Sequence, residues 1–306
     1  MKRLAFLLVG YSAAMAQPPA PAPTPAPAVR SFVKIFDRAS GQSRVVFTGD
    51  GFYQAPNWSP DGEYLLFNTP GKLWRLPLAT GMIEQVDTGD VKGLNNDHGI
   101  SPDGKLIAIS AGDIYVLPAA GGKPKQITNA RPSYFHGFSP DGKWIVFCGQ
   151  RNNNFDIYRI RVDGTGKEER LTSNPGYDDG PEYSPDGKWI YFNSNRSGSW
   201  DIWRMPAEGA GANDENAEQI TSDALEDWFP HISPDGKWMT VVSFEKGIPN
   251  HPPNKNVVIR LTLGISKPQL EMRDAIHLFG GQGTINVNSW SPGSTQFAYV
   301  SYELLQ

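Results

Sequence analysis

The chain of 306 residues has a single cysteine, Cys148, so no intrachain disulfide can form. A domain of this size can rely on its own hydrophobic core instead. Lysine and arginine number 28 against 32 aspartate and glutamate residues, which gives a formal net charge of −4. Nucleic-acid binding needs a basic surface or stripe, and the sequence shows neither. We therefore exclude nucleic acid as a partner.

Long hydrophobic runs are missing as well. The apolar stretch Leu4–Ala14 is far shorter than the about 20 residues that a membrane helix needs, so we predict no membrane span. The stretch follows Lys2-Arg3 and leads into Ala14-Met15-Ala16, a small-x-small pattern. This order is typical of a cleavable signal peptide, which we assign to residues 1–16. The protein is then expected in the periplasm or outside the cell.

Residues 17–29 begin with the run QPPAPAPTPAPA. Proline and alanine in this proportion favour an extended, solvated spacer. We therefore predict a linker over 17–29 and one folded domain over 30–306.

A four-residue motif, Ser-Pro-Asp-Gly, is what the sequence has in abundance. It starts at Ser59, Ser101, Ser139, Ser184 and Ser233, and an altered copy, Ser-Pro-Gly-Ser, follows at 291–294. Proline presets the turn, and glycine takes the left-handed position that closes a hairpin. The altered copy is expected to form a different turn type.

Each copy of the motif is followed by alternating apolar runs that predict strands, four per copy, for example KWIVFC and DIYRIRV after Ser139. A repeat of about 40 to 50 residues made of short strands is typical of propeller blades. The last copy ends after its second strand, while Ser31–Asp37 and Arg44–Gly49 are two strands without a blade. We predict an all-β, six-bladed β-propeller, closed by N-terminal strands that complete the last blade.

The repeat Ser-Pro-Asp-Gly-Lys-Trp-Ile-x-Phe, followed by Asp-Ile-Tyr/Trp-Arg, resembles the propeller repeat of the TolB family. The blocks NNDHGISPDG, DDGPEYSPDG and LFGGQGTINVNSWSP resemble secreted bacterial TolB-like propellers. Full TolB proteins carry an α/β domain before the propeller, and we expect this chain to lack it. The resemblance implies a propeller fold over the whole folded part and leaves its activity open.

The segments just before each turn are expected to enter the central channel and to form one of its mouths. They carry polar and aromatic side chains outside the repeat consensus, and Gln282 lies in a glycine-rich run nearby. We take these residues as the candidate ligand-binding set: Asn96, Asp97, His98, Tyr134, His136, Asp178, Asp179, Glu182, Asp227, Trp228, His231, Gln282, Asn286 and Asn288. The alternative is structural, with aspartates capping loop amides and aromatics packing between blades.

Three of the five histidines lie in these segments: His98, His136 and His231. They are candidate ligands of a divalent metal ion, which is the only cofactor that we predict. His98 and His136 each stand three residues before the serine of their turn. His231 stands two residues before it, so its side chain need not point the same way. Alternatively, each histidine bonds the backbone of a neighbouring blade.

Two functions remain open. The first is a non-enzymatic binding or scaffold module, monomeric, that holds an envelope protein, a peptide or a glycan at the channel mouth. The second is a carbohydrate lyase, since oligogalacturonate lyases are propellers with similar repeats that hold a divalent metal through histidines and a glutamine. In that case Gln282 would join the three histidines, and Arg131 or a histidine would be the base. No Gly-x-Ser-x-Gly elbow is present, so peptidase activity is not expected.

Overall fold

A computed structural model describes residues 28–248 and 253–305. The predicted signal peptide and most of the predicted linker lie outside the described residues. The first strand begins at Val29, one residue before the predicted domain boundary.

The described residues form 23 strands and one short 3-10 helix, Gln282–Thr284. The strands in chain order are β1 (Val29–Asp37), β2 (Gln42–Asp50), β3 (Gln54–Trp58), β4 (Tyr64–Thr69), β5 (Lys72–Pro77), β6 (Glu84–Gln85), β7 (His98–Ile100), β8 (Leu106–Ala111), β9 (Asp113–Pro118), β10 (Lys125–Gln126), β11 (Ser133–Phe138), β12 (Trp144–Arg151), β13 (Asn154–Arg161), β14 (Glu169–Arg170), β15 (Asp178–Tyr183), β16 (Trp189–Ser194), β17 (Asp201–Pro206), β18 (Glu218–Gln219), β19 (Leu225–Ile232), β20 (Trp238–Glu245), β21 (Asn254–Leu263), β22 (Glu271–Gly280) and β23 (Gln296–Leu304).

These strands make six antiparallel sheets, one per blade, which confirms the predicted propeller. Blades one to five each use four consecutive strands, from β3–β6 to β19–β22. The sixth sheet has the order β2-β1-β23, and its innermost position holds only a bridge between Trp290 and Phe297. The N-terminal strand β1 pairs with β23 along its full length, from Val29 opposite Leu304 to Asp37 opposite Gln296. The N-terminal strands therefore complete the last blade, as the sequence predicts.

The Ser-Pro-Asp-Gly turn fixes the first hairpin of each blade. In the third copy the Ser139 hydroxyl donates to the Asp141 carboxylate at 2.6 Å and accepts from the Trp144 amide at 2.9 Å. The Gly142 amide donates to the Ser139 carbonyl at 2.8 Å, with a φ of 69° that glycine adopts without strain. The serine–aspartate bond recurs in the other four intact copies.

The altered sixth copy keeps the backbone geometry of this turn without the serine–aspartate bond, so the prediction of a different turn type is wrong. Ser294 takes a φ of 57°, and its amide donates to the Ser291 carbonyl at 2.9 Å. A non-glycine residue in this conformation costs about 1–3 kcal/mol. The Ser294 hydroxyl accepts a hydrogen bond from the Asp235 amide of the neighbouring turn at 3.0 Å, which offsets part of that cost.

The hydrophobic core consists of the interfaces between blades. At the closing interface, Val33 and Ile35 of β1 pack in one cluster with Val300 of the same blade and with Leu65 and Phe67 of blade one. Closure thus buries the apolar face that an open array would expose.

Candidate functional site

The inner strands surround a central channel with a cavity at each end. The loop side is the end where the chain enters each inner strand, and the turn side is the end that carries the Ser-Pro turns. A cavity of about 360 Å³ lies on the turn side, and a pocket of about 340 Å³ lies on the loop side. We call them the turn-side cavity and the loop-side pocket. His136 borders both and so marks the boundary between them.

The loop-side pocket contains six of the fourteen predicted site residues. Its lining consists of Asn95, Asn96, Asp97, Tyr134, His136, Phe155, Tyr177, Asp179 and Gln282. Phe155 and Tyr177 are additions that the repeat pattern did not indicate. The Phe155 ring lies 6.4 Å from that of Tyr134 and 4.4 Å from that of Tyr177, and both pairs are stacked. The pocket therefore has one aromatic wall.

An ion pair between His136 and Asp179 forms the floor of the loop-side pocket. The distance between His136 Nε2 and Asp179 Oδ1 is 3.1 Å, and both residues are buried. Burial alone disfavours the imidazolium, but the hydrogen bond and charge of Asp179 raise the pKa of His136. Burial likewise disfavours the Asp179 carboxylate, but His136 lowers its pKa. The pair is thus held in its charged form.

Asp97 is a second buried carboxylate beside this pair. It accepts hydrogen bonds from the side-chain amide of Asn286 at 2.6 Å and from that of Asn95. Burial raises the pKa of Asp97 to about 6, and the neighbouring Asp179 adds to this, whereas His136 and the two amides lower it. Asp97 therefore changes its charge only a little below neutral pH.

A second network ties Glu182 to His231 at the centre of the ring. Glu182 Oε2 lies 2.7 Å from His231 Nδ1, and His231 Nε2 lies 3.0 Å from the Ile285 carbonyl oxygen. Glu182 Oε1 accepts from the Ile232 amide at 2.8 Å and from Asn288 Nδ2 at 2.6 Å. One carboxylate thus joins the fourth, fifth and sixth blades.

His98 differs from the other channel histidines. It is 1% exposed, and neither ring nitrogen makes a hydrogen bond of ordinary geometry to a described residue, although the backbone of Leu66 and of Ala55 lies close enough to act on the ring. Burial lowers the pKa of His98 to about 4, against a smaller opposing effect of the Leu66 and Ala55 backbone. The ring is neutral at physiological pH and lines the turn-side cavity, where Glu182 and Asn288 also lie.

Three of the predicted site residues make contacts within the protein away from both cavities. Asp178 pairs with Arg196 at 2.7 Å, and Asp227 pairs with Arg260 at 3.1 Å. Trp228 is buried and lies against Trp200 with ring centroids 3.8 Å apart. Their contacts hold neighbouring strands together and do not line either cavity.

The predicted three-histidine metal site does not assemble. His231 uses both ring nitrogens within the protein, and His136 is paired with Asp179. Within residues 28–248 and 253–305, no group of three His, Cys, Asp or Glu residues is arranged to hold a metal ion. Arg131, the candidate base, forms an ion pair with Asp113 instead, with 2.6 Å between Arg131 Nε and Asp113 Oδ2.

The glycine-rich run lets the side chains of Gln54 and Tyr302 lie close to the backbone of Gly283. A Cβ atom on Gly283 would lie 2.6 Å from Gln54 Nε2 and 2.8 Å from the Tyr302 hydroxyl, closer than real Cβ atoms come. The absence of a side chain here lets the 3-10 helix bring Gln282 to the pocket.

Known proteins share this architecture. A model of the TolB β-propeller domain matches residues 132–262. An uncharacterized protein of Agrobacterium fabrum is 46% identical over 282 residues, covering 90% of this chain and 93% of that one. The chain belongs to the TolB-type β-propeller family. A solved structure of a TolB candidate from Agrobacterium tumefaciens superposes with a TM-score of 0.85 at 46% identity, covering 90% of this chain and 99% of that one.

Other matches are more limited. The Tol-Pal system protein TolB of Francisella tularensis is 29% identical over 129 residues, which is 39% of this chain and 29% of that protein. An oligogalacturonate lyase in complex with manganese superposes with a TM-score of 0.51 at 14% identity, over 80% of this chain and 66% of that one, and so shares the fold alone. In the described part of the chain, no helix has the length and apolar character required to cross a bilayer.

Proposed function

We propose that this protein is a non-enzymatic binding module of the bacterial cell envelope, which holds a positively charged group of a protein, peptide or glycan in the loop-side pocket. One observation carries the proposal. The buried carboxylates of Asp97 and Asp179 lie beside the stacked rings of Tyr134, Phe155 and Tyr177, and no lysine or arginine is among the described residues that line the pocket. Aromatic faces and carboxylates both attract a cation.

The charge balance of the pocket supports a cationic ligand near neutral pH. The His136 imidazolium balances the carboxylate of Asp179. Asp97, with a pKa of about 6, then adds a net negative charge at pH 7 that is lost at pH 5. Cation binding is therefore expected to weaken as the pH falls through 6.

A protein partner is favoured by the family. A relative in Francisella tularensis is a component of the Tol-Pal system, and propellers present a rigid ring of loops to a partner. We place the protein in the periplasm or outside the cell, with residues 1–16 as the signal peptide and 17–29 as the linker. Expression of the full chain in a bacterium, followed by intact-mass analysis of the periplasmic product, should give a mature chain that starts at Gln17. A cytoplasmic product that keeps Met1 would contradict this placement.

Calorimetric titration with defined probes tests the pocket. A lysine-containing tripeptide and its ε-acetylated form differ only in the charge of the side chain. A chitosan oligomer and a chitin oligomer make the same comparison for sugars. We expect saturable binding of at least one charged probe at pH 7, weaker binding at pH 5, and none of either neutral form. The probe that binds then distinguishes a peptide partner from a glycan.

Variants show whether the bound probe is in the loop-side pocket. Tyr177→Ala removes part of the aromatic wall, and we expect an affinity loss of about tenfold or more. Tyr115→Ala, a half-buried tyrosine of an outer strand, is the matched control and should bind as the wild type does. Equal effects of the two substitutions, or no saturable binding of any probe, would contradict the proposed function.

A further inference from the structure

The turn-side cavity has walls built from one repeat position. The residue immediately before the serine of each turn contributes an apolar side chain to the lining in all six blades. These residues are Trp58, Ile100, Phe138, Tyr183, Ile232 and Trp290. Prolines of five turns also line the cavity. Propeller symmetry thus produces a ring of large apolar side chains around a volume of about 360 Å³.

Polar side chains also lie within this apolar ring, and most of them already form hydrogen bonds with other groups of the protein. Glu182 accepts hydrogen bonds from Ile232 and Asn288, and Asn57 bonds the backbone of Asn288 and of Ile100. Their hydrogen-bonding capacity is largely used by the protein. They give the cavity a fixed polar side without offering many free groups to a ligand.

Three lining residues have a side-chain polar atom that makes no hydrogen bond of ordinary geometry to a described residue. They are His98 with both ring nitrogens at 1% exposure, Trp58 with its indole N–H at 8% exposure, and Tyr183 with its hydroxyl at 7% exposure. Leaving a buried polar group without a hydrogen bond costs about 1–3 kcal/mol. In ligand-binding cavities, a small number of polar groups in a mainly apolar wall usually make the hydrogen bonds to the ligand.

We propose that the turn-side cavity binds a neutral phenol-type group, that is, an aromatic ring with one hydroxyl. The neutral His98 imidazole offers one donor and one acceptor, and Trp58 offers one further donor. A hydroxyl can accept from an N–H of Trp58 or His98 and can donate only to the unprotonated nitrogen of His98. Flat aromatic side chains in the wall favour an aromatic body. A charged group would have to be desolvated with no free counter-charge, so anions and ammonium ions are disfavoured.

This site is distinct from the loop-side pocket in position and in chemistry. The phenol-type group can belong to a free compound or to a tyrosine of a partner. Two probes separate these sources: p-cresol, and N-acetyl-tyrosinamide, which carries the same ring on a peptide-like backbone. Binding of p-cresol alone indicates a free compound. Binding of both indicates that a presented tyrosine also fits.

The test compares p-cresol with toluene and p-toluate by ligand-observed NMR and calorimetry. Toluene has the same ring without the hydroxyl, and p-toluate adds a negative charge. We expect p-cresol to bind about tenfold more tightly than toluene, the effect of one satisfied hydrogen bond, and p-toluate to bind least. The preference should be the same with or without a cationic probe in the loop-side pocket.

Two variants connect the preference to the residues named. His98→Leu removes the unpaired nitrogens and should abolish the advantage of p-cresol over toluene without lowering thermal stability. Trp58→Phe should reduce that advantage while toluene still binds. His277→Leu, at an exposed histidine of β22, is the control and should change nothing. Failure of all probes to saturate at millimolar concentration, or an unchanged preference in His98→Leu, would overturn the proposal.

Discussion

Loss of the Glu182 carboxylate is expected to destabilise the whole ring. The side chain accepts three hydrogen bonds, from the Ile232 amide, Asn288 Nδ2 and His231 Nδ1, at 2.8, 2.6 and 2.7 Å. In Glu182→Ala all three donors lose their acceptor in a buried position. A hydrogen bond to a charged group contributes about 1.5–3 kcal/mol, and an orphaned buried donor costs about 1–3 kcal/mol.

The expected loss in unfolding free energy is about 3–5 kcal/mol, smaller than the sum of three such bonds. The reason is that Glu182 lines the turn-side cavity, so water can enter the space left by the truncated side chain and satisfy some of the donors.

The isosteric change Glu182→Gln should cost far less, about 1 kcal/mol. In the wild type both ring nitrogens of His231 face oxygen atoms, those of Glu182 and of the Ile285 carbonyl. The pair therefore holds one proton more than a neutral histidine and a carboxylate would. A glutamine can donate its amide N–H to Nδ1 of a neutral His231, while Nε2–H keeps the Ile285 bond and Oε1 keeps its two donors.

Urea unfolding followed by circular dichroism at pH 7 measures both effects. Glu218→Ala is the control, since Glu218 forms an exposed ion pair with Arg204 on an outer strand and should cost less than about 1 kcal/mol. If Glu182→Ala falls within about 1 kcal/mol of that control, the carboxylate does not tie the blades together as argued.

Burial and charge give three further expectations. The unfolding free energy of the wild type, measured relative to Asp97→Asn, should fall as the pH rises from 4 to 6. The pKa of Asp97 is about 6 in the folded state, above the ordinary value, so the folded protein keeps the Asp97 proton in a pH range where the unfolded chain has lost it. A difference in urea unfolding that does not change with pH would refute this. Val33→Asp, at a fully buried position of β1, should give aggregated protein in size-exclusion chromatography, while Val45→Asp, at an exposed position of β2, should stay folded. Buried Cys148, whose pKa is raised mainly by burial, should react with iodoacetamide only as fast as the protein unfolds; fast labelling of the native protein would contradict its burial.

The fold could be predicted from the sequence because the repeat specifies it locally. Each Ser-Pro-Asp-Gly turn contains its own hydrogen bonds, and the two unpaired strands at the N-terminus could only complete the last blade. The prediction for the altered turn at 291–294 is wrong for a physical reason. The turn needs a left-handed residue at its fourth position, and Ser294 adopts that conformation without being glycine.

The site could be predicted only in part, because inner strands are not regular. Bulges interrupt the pairing of β15 between Asp179 and Glu182 and that of β19 between Trp228 and His231. Because of these bulges, the rule that successive side chains of a strand point to opposite faces does not hold from one side of a bulge to the other. Ion-pair partners from outside a residue's own strand, such as Arg196 in the turn after β16, which pairs with Asp178, are also not visible in a local pattern. Tyr177 directly precedes the predicted pair Asp178-Asp179, and that adjacency was the one available signal for the aromatic wall.

The channel separates two chemistries at neighbouring residues. Asp97 and His98 are adjacent in sequence, yet Asp97 lines the loop-side pocket and His98 lines the turn-side cavity. Burial disfavours the charged form of both side chains. It raises the pKa of Asp97 and lowers the pKa of His98, so that each favours its neutral form. Asp97 lies beside the His136–Asp179 ion pair, and the imidazolium of that pair lowers the pKa of Asp97, whereas no charged group among the described residues acts on His98 in this way. The start of β7 and the loop residue before it therefore contribute to two different sites, the proposed cation site on the loop side and the proposed site for a neutral aromatic group on the turn side.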